Sequence, residues 1–129
     1  MIRPAFLALA LLTTAGCATG RDSALDNSTW RIVGIDGAAA ASQEAQLAFS
    51  GRNLNATAGC NRMAGQWRTE GRRLIAGRLA QTEMWCESPR LMEQEQALAT
   101  LLAAAPQYRL EGDRLTLRSG AHRAELRRR

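Results

Sequence analysis

Residues 107–118 read QYRLEGDRLTLR, and this stretch predicts a β-hairpin. Its turn falls at Gly112 and Asp113, where a Gly next to Asp is a strong turn signal. Polar residues alternate on both sides of the turn with four apolar ones, Tyr108, Leu110, Leu115 and Leu117. Because side chains along a strand point to opposite faces in turn, this alternation indicates an antiparallel sheet with one buried face.

Earlier segments show the same period of two. Residues 47–50 and 54–60 predict a hairpin around a turn at residues 51–53, and residues 66–69 lead through Glu70 and Gly71 towards the next apolar pair at residues 74–75. After Gly77, residues 80–86 predict a further strand, since four residues fall on one face, namely Ala80, Thr82, Met84 and Cys86.

Residues 89–104 have the helical period instead. Ser88 followed by Pro89 is typical of an N-cap with proline at the first helical position, and Pro106 ends the segment. The apolar side of the predicted helix carries Leu91, Met92, Leu98, Ala99 and Leu102, while Glu93, Gln94 and Gln96 are expected outside. One amphipathic helix before the last strands indicates an α+β fold, a strongly curled antiparallel sheet whose open side is covered by that helix.

The composition limits the possible partners and chemistry. The chain has 129 residues with 46% hydrophobic and 22% charged residues, enough for one modest folded domain. All 17 basic residues are Arg and the net charge is +5, but acidic residues are interspersed among them, which argues against a nucleic-acid partner. Three Cys and one His exclude a four-cysteine or Cys₂His₂ zinc module, and we expect no metal and no cofactor.

The first residues predict an export signal. Arg3 precedes an apolar stretch over residues 5–12, far shorter than the roughly 20 residues of a membrane-spanning helix. Residues 14–17 read TAGC, which resembles a bacterial lipoprotein cleavage site and predicts that Cys17 carries the lipid. An ordinary cleaved signal ending in small residues is the alternative. Ala18, in place of Asp, favours the periplasmic face of the outer membrane over the inner membrane.

These observations divide the chain into four parts. Residues 1–17 are predicted to be the signal peptide, residues 18–28 a flexible tether, residues 29–126 the folded domain, and residues 127–129 a basic tail. The three terminal Arg residues either attract anionic headgroups or form a solvated tail.

Two short motifs resemble those of a known family. Residues 59–65 read GCNRMAG and residues 82–86 read TEMWC, with Trp30 opening the first strand and LEGDRLTL at residues 110–117. This order resembles the META domain (HslJ-like) family of bacterial envelope lipoproteins. The resemblance implies a small antiparallel, incompletely closed β-barrel with one helix, and it implies no known reaction. The residues of this chain that match the family motifs, besides the cysteines, are Gly59, Asn61, Arg62, Gly65, Thr82 and Met84.

Cys60 and Cys86 are the two thiols that export would leave in the domain. Strand phase points both inward, and an oxidising compartment favours a disulfide between them. A redox couple is a second possibility, although the pair lacks Cys-x-x-Cys spacing, and a metal site with His122 is a third. His122 shares its phase with two apolar residues of the last strand, so we expect it at an edge and do not consider it catalytic.

The remaining motif residues allow two interpretations. Gly59 and Asn61 tolerate positive φ, which suits a chain reversal that aims Cys60 inward. Arg62 is either a surface ion pair or a recognition group for a partner.

We therefore expect a non-enzymatic envelope lipoprotein with a stress-tolerance or interaction role, as the resemblance implies. Its partners are expected to be the membrane, through the lipid anchor, and either an envelope protein or an acyl chain. The alternative is a pilotin-like module that binds lipid or peptide and acts as a chaperone for an outer-membrane protein, a likeness that concerns the fold only. A hydrolase or thiol enzyme is the third hypothesis, and the single His argues against it.

Overall fold

The computed structural model describes residue 1 and residues 19–129. The predicted signal peptide, and with it the lipid attachment at Cys17, therefore lies outside the described residues.

Over residues 19–129 the fold is an antiparallel barrel with one helix. Its elements are β1 (Thr19–Gly20), β2 (Ser28–Ile35), β3 (Ala38–Ala39), β4 (Gln46–Ser50), β5 (Asn53–Thr57), β6 (Arg62–Glu70), β7 (Arg73–Ala76), β8 (Ala80–Gln81), α1 (Pro89–Ala103), β9 (Gln107–Glu111), β10 (Arg114–Ser119) and β11 (His122–Arg128). Neighbours around the barrel follow the order β6-β5-β4-β2-β11-β10-β9-β7. Because β7 also pairs with β6, the eight strands close, and the prediction of an incompletely closed barrel is wrong in this respect.

The predicted hairpins explain most of the wall. In the β9–β10 hairpin Leu115 pairs with Leu110 and Leu117 with Tyr108, as the alternation predicts. Apolar residues of every other position fill the interior, so the barrel is packed with side chains. Together with Leu25 and three leucines of α1 they form the core, whose largest fully buried residues are Trp30, Phe49, Leu25, Ile32, Leu47, Leu54, Met63, Leu74, Leu98, Leu101, Leu102 and Leu115.

Helix α1 begins as predicted, because the Ser88 side chain accepts a hydrogen bond from the backbone N–H of Leu91 and Pro89 occupies the first turn. It buries Leu98, Leu101 and Leu102. The expected position of Gln94 on the outer face is wrong, since Gln94 and Glu95 are both buried. Each satisfies its polar atoms by hydrogen bonds to another part of the chain, which is what makes burial of these side chains tolerable.

The strand predicted over residues 80–86 is reduced to the two residues of β8. Ala80, Thr82 and Met84 are exposed instead of facing the core, and only Cys86 is buried. Residues 82–86, which follow β8, do not pair with a neighbouring strand. Hydrogen bonds with Asn61 and Arg62 of the GCNRMAG motif hold this segment in place instead.

The tether predicted over residues 18–28 is also wrong for most of its length. β1 pairs with the end of β6, Leu25 is completely buried, and the Tyr108 hydroxyl donates to Asp22 over 2.8 Å. An isolated Leu among small polar residues gives no periodic signal, so its burial became visible only in the tertiary structure.

The predicted basic tail belongs to β11 instead. Arg127 forms an ion pair with Asp113 at 3.0 Å, and the Arg128 guanidinium lies 4.4 Å from the centre of the Trp30 ring. The Arg129 backbone N–H donates to the Thr29 carbonyl over 2.9 Å. The domain therefore extends beyond the predicted limits of 29 and 126 at both sides.

The barrel has two differently closed ends. The helix end consists of α1, residues 39–42 and residues 58–62, which α1 contacts through Gln94 and Glu95. The terminal end consists of residues 19–28 and the tight turns that follow β4, β6 and β9. No helix within the described part of the chain is long and apolar enough to cross a bilayer.

Candidate functional site

The GCNRMAG motif forms the chain reversal between β5 and β6 at the helix end. Gly59 has a φ of +124°, a region that residues with a side chain rarely adopt. A Cβ atom on Gly59 would also collide with the Ser42 side chain and come within 3.2 Å of Leu91. The positive φ expected of the motif is therefore found at Gly59 and not at Asn61. The close approach of Leu91 shows that α1 packs directly on the reversal.

Asn61 is buried and connects three segments of the chain. Its backbone N–H donates to one carboxylate oxygen of Glu95 over 3.0 Å, and its side-chain amide donates to the other over 3.1 Å. The Asn61 amide oxygen accepts hydrogen bonds from the Thr82 hydroxyl at 3.0 Å and the Met84 backbone N–H at 2.7 Å. Asn61 therefore joins α1 to the TEMWC segment through its own side chain.

Thr82 completes the link between the two motifs. Its hydroxyl accepts from the Arg62 backbone N–H over 3.0 Å, and its own N–H donates to the Arg62 carbonyl over 3.0 Å. Met84 contributes only its backbone, since its carbonyl accepts from the Asn61 amide at 3.1 Å while its side chain is 58% exposed. The motif residues thus position the loop after β8.

Cys60 and Cys86 form a disulfide with their Cα atoms 6.1 Å apart, which confirms the pairing expected from the sequence. The Asn61 amide lies 3.6 Å from the Cys86 sulfur, so the disulfide and the polar network are adjacent. Since both sulfurs are in this bond, neither is available as a thiolate ligand for a metal together with His122.

Gly65 has an ordinary φ and a different role. A Cβ atom there would lie 2.7 Å from a methyl carbon of Leu79 and 3.1 Å from the Arg78 carbonyl oxygen. The residue is therefore small because the chain before β8 crosses close to β6, and not because of its conformation.

Arg62 is the charged motif residue, and its side chain is exposed and available for recognition. It lines a depression of about 380 Å³ together with Arg129, Glu44 and Thr57. Among the residues that the structure describes, no carboxylate lies within ion-pair distance of Arg62. The interpretation of Arg62 as half of a surface ion pair is therefore not what the structure shows.

His122 lies at the exposed start of β11 and contacts Asp36, with 2.9 Å between its Nδ1 and the carboxylate. This hydrogen bond, together with one from the Arg123 N–H, holds the pKa of Asp36 below its usual range. Within residues 19–129 no three His, Cys, Asp or Glu side chains lie close enough together to hold a metal ion.

Sequence reasoning missed the two buried polar residues of α1. Gln94 donates to the Ala39 carbonyl and accepts from the Ala41 N–H, both over 2.7 Å, and Glu95 binds Asn61. A signal was present, because residues 94 and 95 lie between Leu91 and Leu98 on the apolar stripe. A polar residue at such a position indicates a buried partner elsewhere in the chain.

The chain is similar to known proteins in sequence and in fold. The META domain family model matches residues 23–129. An NMR structure superposes with a TM-score of 0.72 and 22% identity, covering 81% of this chain and 91% of that one. An NMR structure of a protein from Burkholderia xenovorans gives a TM-score of 0.67 and 21% identity over 95% of this chain and 99% of that one. At these identities the structural likeness concerns the fold alone, and no curated protein matches the chain.

Proposed function

The chain belongs to the META domain family, and on that premise we propose that it is a non-enzymatic lipoprotein of the bacterial envelope. Its role is either in stress tolerance or in interactions with other envelope components. The proposal rests on the contacts that the side chains of the motif residues make. Asn61, Thr82 and the disulfide are all engaged in holding the helix end together, which leaves them no free nucleophile or base.

The described part of the chain supports attachment by the terminal end. Cys17 precedes Thr19, where β1 begins, by two residues, which span at most about 7 Å. An acyl chain on Cys17 would therefore hold the barrel close to the membrane with the helix end directed away from it. Ala18, instead of Asp, supports the periplasmic face of the outer membrane as the location.

Labelling with a radioactive fatty acid tests the anchor. We expect the full chain to incorporate the label and to sediment with outer membranes, and the Cys17→Ala variant to lose both properties. Cys60→Ala is the matched control, because it removes a different cysteine and should keep the label. Unchanged labelling of Cys17→Ala would disprove the anchor.

Two further measurements test the absence of catalysis and the role in stress. We expect no turnover from a panel of ester, peptide and disulfide substrates, and any activity abolished by His122→Asn would contradict the proposal. Cells without the protein should survive heat less well, and the full chain should restore survival better than Cys17→Ala.

One observation favours the pilotin-like alternative. A groove of about 420 Å³ runs between α1 and the stretch after β7, and its apolar residues are Met63, Ala76, Leu79, Ala99 and Ala103. A groove of this size between a helix and a sheet suits an acyl chain or a short peptide. Native mass spectrometry after mild purification should then detect bound lipid in the wild type and not in Ala99→Trp, which fills the groove. Thr100→Trp on the exposed side of the helix is the control.

A further inference from the structure

The outer surface of β9 and β10 carries an unusual concentration of arginine. Five arginines, which we call the arginine face, surround a depression of about 350 Å³, and they are Arg72, Arg109, Arg114, Arg118 and Arg123. All five are exposed. Tyr108 and Thr116 also line the depression, although the Tyr108 hydroxyl is already bonded to Asp22.

Few carboxylates neutralise this face. Arg109 pairs with Glu111 at 2.6 Å, and Arg123 pairs with Glu125 at 2.7 Å. The other three arginines, Arg72, Arg114 and Arg118, have no carboxylate within 4 Å among the residues that the structure describes. The face therefore presents uncompensated positive charge in a shallow concavity.

The strand register places like charges opposite each other. Arg118 is directly across from Arg123, and Arg114 is directly across from Arg127, both between β10 and β11. Like charges at directly opposed positions destabilise a sheet. Arg114 also lies opposite Glu111 on β9, and Arg127 and Arg123 are paired with Asp113 and Glu125, so the uncompensated charge is mainly that of Arg118. An anion between the guanidinium groups removes the repulsion.

We propose that the arginine face binds the phosphate of a lipid headgroup. A guanidinium group can donate two parallel hydrogen bonds to the oxygens of one phosphate. Several arginines around one concavity therefore form a binding site, which a single arginine does not. The position of the face favours a lipid source. Arg72 follows β6, whose last residue Glu70 pairs with β1, so the face begins at the terminal end; from there it continues along the barrel wall to Arg118 and Arg123 near the other end of β10. This step uses the proposed anchoring at Cys17, which brings the terminal end to the membrane.

The test uses the full chain in micelles of a nonionic detergent. Short-chain phosphatidylglycerol is added and binding is followed by titration calorimetry, with short-chain phosphatidylcholine and inorganic phosphate as comparison ligands. We expect saturable binding of phosphatidylglycerol. The double variant Arg114→Gln and Arg118→Gln should bind at least about tenfold more weakly, because two charge-assisted contacts are lost.

A matched variant separates a site from net charge. Arg31→Gln with Arg52→Gln removes the same charge from exposed residues outside both this depression and the groove beside α1, and it should change the affinity less than twofold. An equal loss in both double variants, or no binding at all, would overturn the proposal. Binding of inorganic phosphate as tight as that of the lipid would overturn the assignment to a lipid headgroup.

Thermal unfolding shows whether the weaker binding reflects a damaged fold. Without ligand, Arg118→Gln should unfold at the same or a higher temperature than wild type, because the repulsion from Arg123 is relieved. Phosphatidylglycerol should raise the unfolding temperature of the wild type and not that of the double variant. Repeating the titration with Cys17→Ala keeps this proposal separate from the anchor, since the site should bind lipid whether or not that cysteine is acylated.

Discussion

The two ends of the barrel are closed by different kinds of interaction. At the helix end a disulfide and a buried polar network around Asn61 hold α1 and the loop after β8. At the terminal end the buried Leu25, a hydrogen bond from Tyr108 to Asp22, and Arg128 over Trp30 hold residues 19–28 and the end of β11.

The two ends differ in how far their contacts can be recognised from the amino-acid sequence. Covalent and polar contacts need specific residue types at fixed positions, so the helix end has recognisable motifs. Apolar burial by one residue and stacking of one cation need no pattern, so the terminal end looks like a tether and a tail. The following predictions test whether both ends are part of one cooperative domain.

Removal of the disulfide should have the largest effect. In the double variant Cys60→Ala and Cys86→Ala, the loss of a bond across 26 residues should lower the free energy of unfolding by about 3.5 kcal/mol, as measured by urea denaturation. Reduction of the wild type should produce a similar loss, while reductant should not affect the double variant. A double variant as stable as oxidised wild type would show that the helix end does not need its covalent link.

Leu25→Ala tests the terminal end. Because Leu25 is completely buried, its truncation should cost about 3 kcal/mol in the same denaturation experiment. Ser23→Ala, at an exposed position of the same segment, is the control and should change little. If residues 19–28 were a free tether, both substitutions would be silent.

Asn61→Ala should cost about 2 kcal/mol, because the buried carboxylate of Glu95 loses a hydrogen-bond donor. Adding Glu95→Leu should recover part of this loss, since it removes the buried carboxylate; recovery should stay partial because the backbone N–H groups of residues 61 and 84 lose their acceptors. Asn55→Ala, on the exposed face of β5, is the control. If the double variant lost more unfolding free energy than the two single variants together, Asn61 and Glu95 would not be directly coupled.

The titration of Tyr108 also reports on the terminal end. Burial, followed by the hydrogen bond to Asp22, raises the pKa of Tyr108 to about 12 from 10.0. Since the raised pKa belongs to the folded state, the neutral phenol stabilises the fold below pH 10, and this contribution is lost as pH rises from 10 towards about 12. The chain has one tyrosine, so the ultraviolet absorbance of phenolate measures Tyr108 alone.

Asp22→Asn should shift this titration towards lower pH, because the variant removes the negative charge beside the phenol. A wild-type midpoint at the ordinary value of 10.0 would mean that residues 19–28 do not dock on the barrel.

Arg128→Ala should have the smallest effect, a loss of about 0.5–1 kcal/mol from the cation–π contact with Trp30. Arg128→Lys should retain part of this stability, because the ammonium group keeps the charge over the ring. Arg31→Ala, at another exposed arginine of the barrel wall, provides the baseline for loss of charge alone.

Much of the wall and the start of the helix could be predicted from local pattern. The alternation around Gly112 and Asp113 predicts the β9–β10 hairpin, and Ser88 with Pro89 predicts where α1 begins. The strand predicted over residues 80–86 is wrong because alternation by itself does not provide a neighbouring strand, and only two of these residues pair with one. The prediction that Gln94 faces solvent is wrong because the groups that it binds, the backbone of Ala39 and Ala41, are distant in the sequence.

The amino-acid sequence by itself determined the β9–β10 hairpin with its inward phase, the start of α1 and which two cysteines were available to pair, since these depend on residue type and near neighbours. Only the tertiary structure decided that the barrel closes through β6 and β7, that Leu25 is in the core, and that Glu95 meets Asn61. Each of these is a contact between residues far apart in the chain. Its free energy depends on how all the strands are arranged together, which no short window of sequence contains.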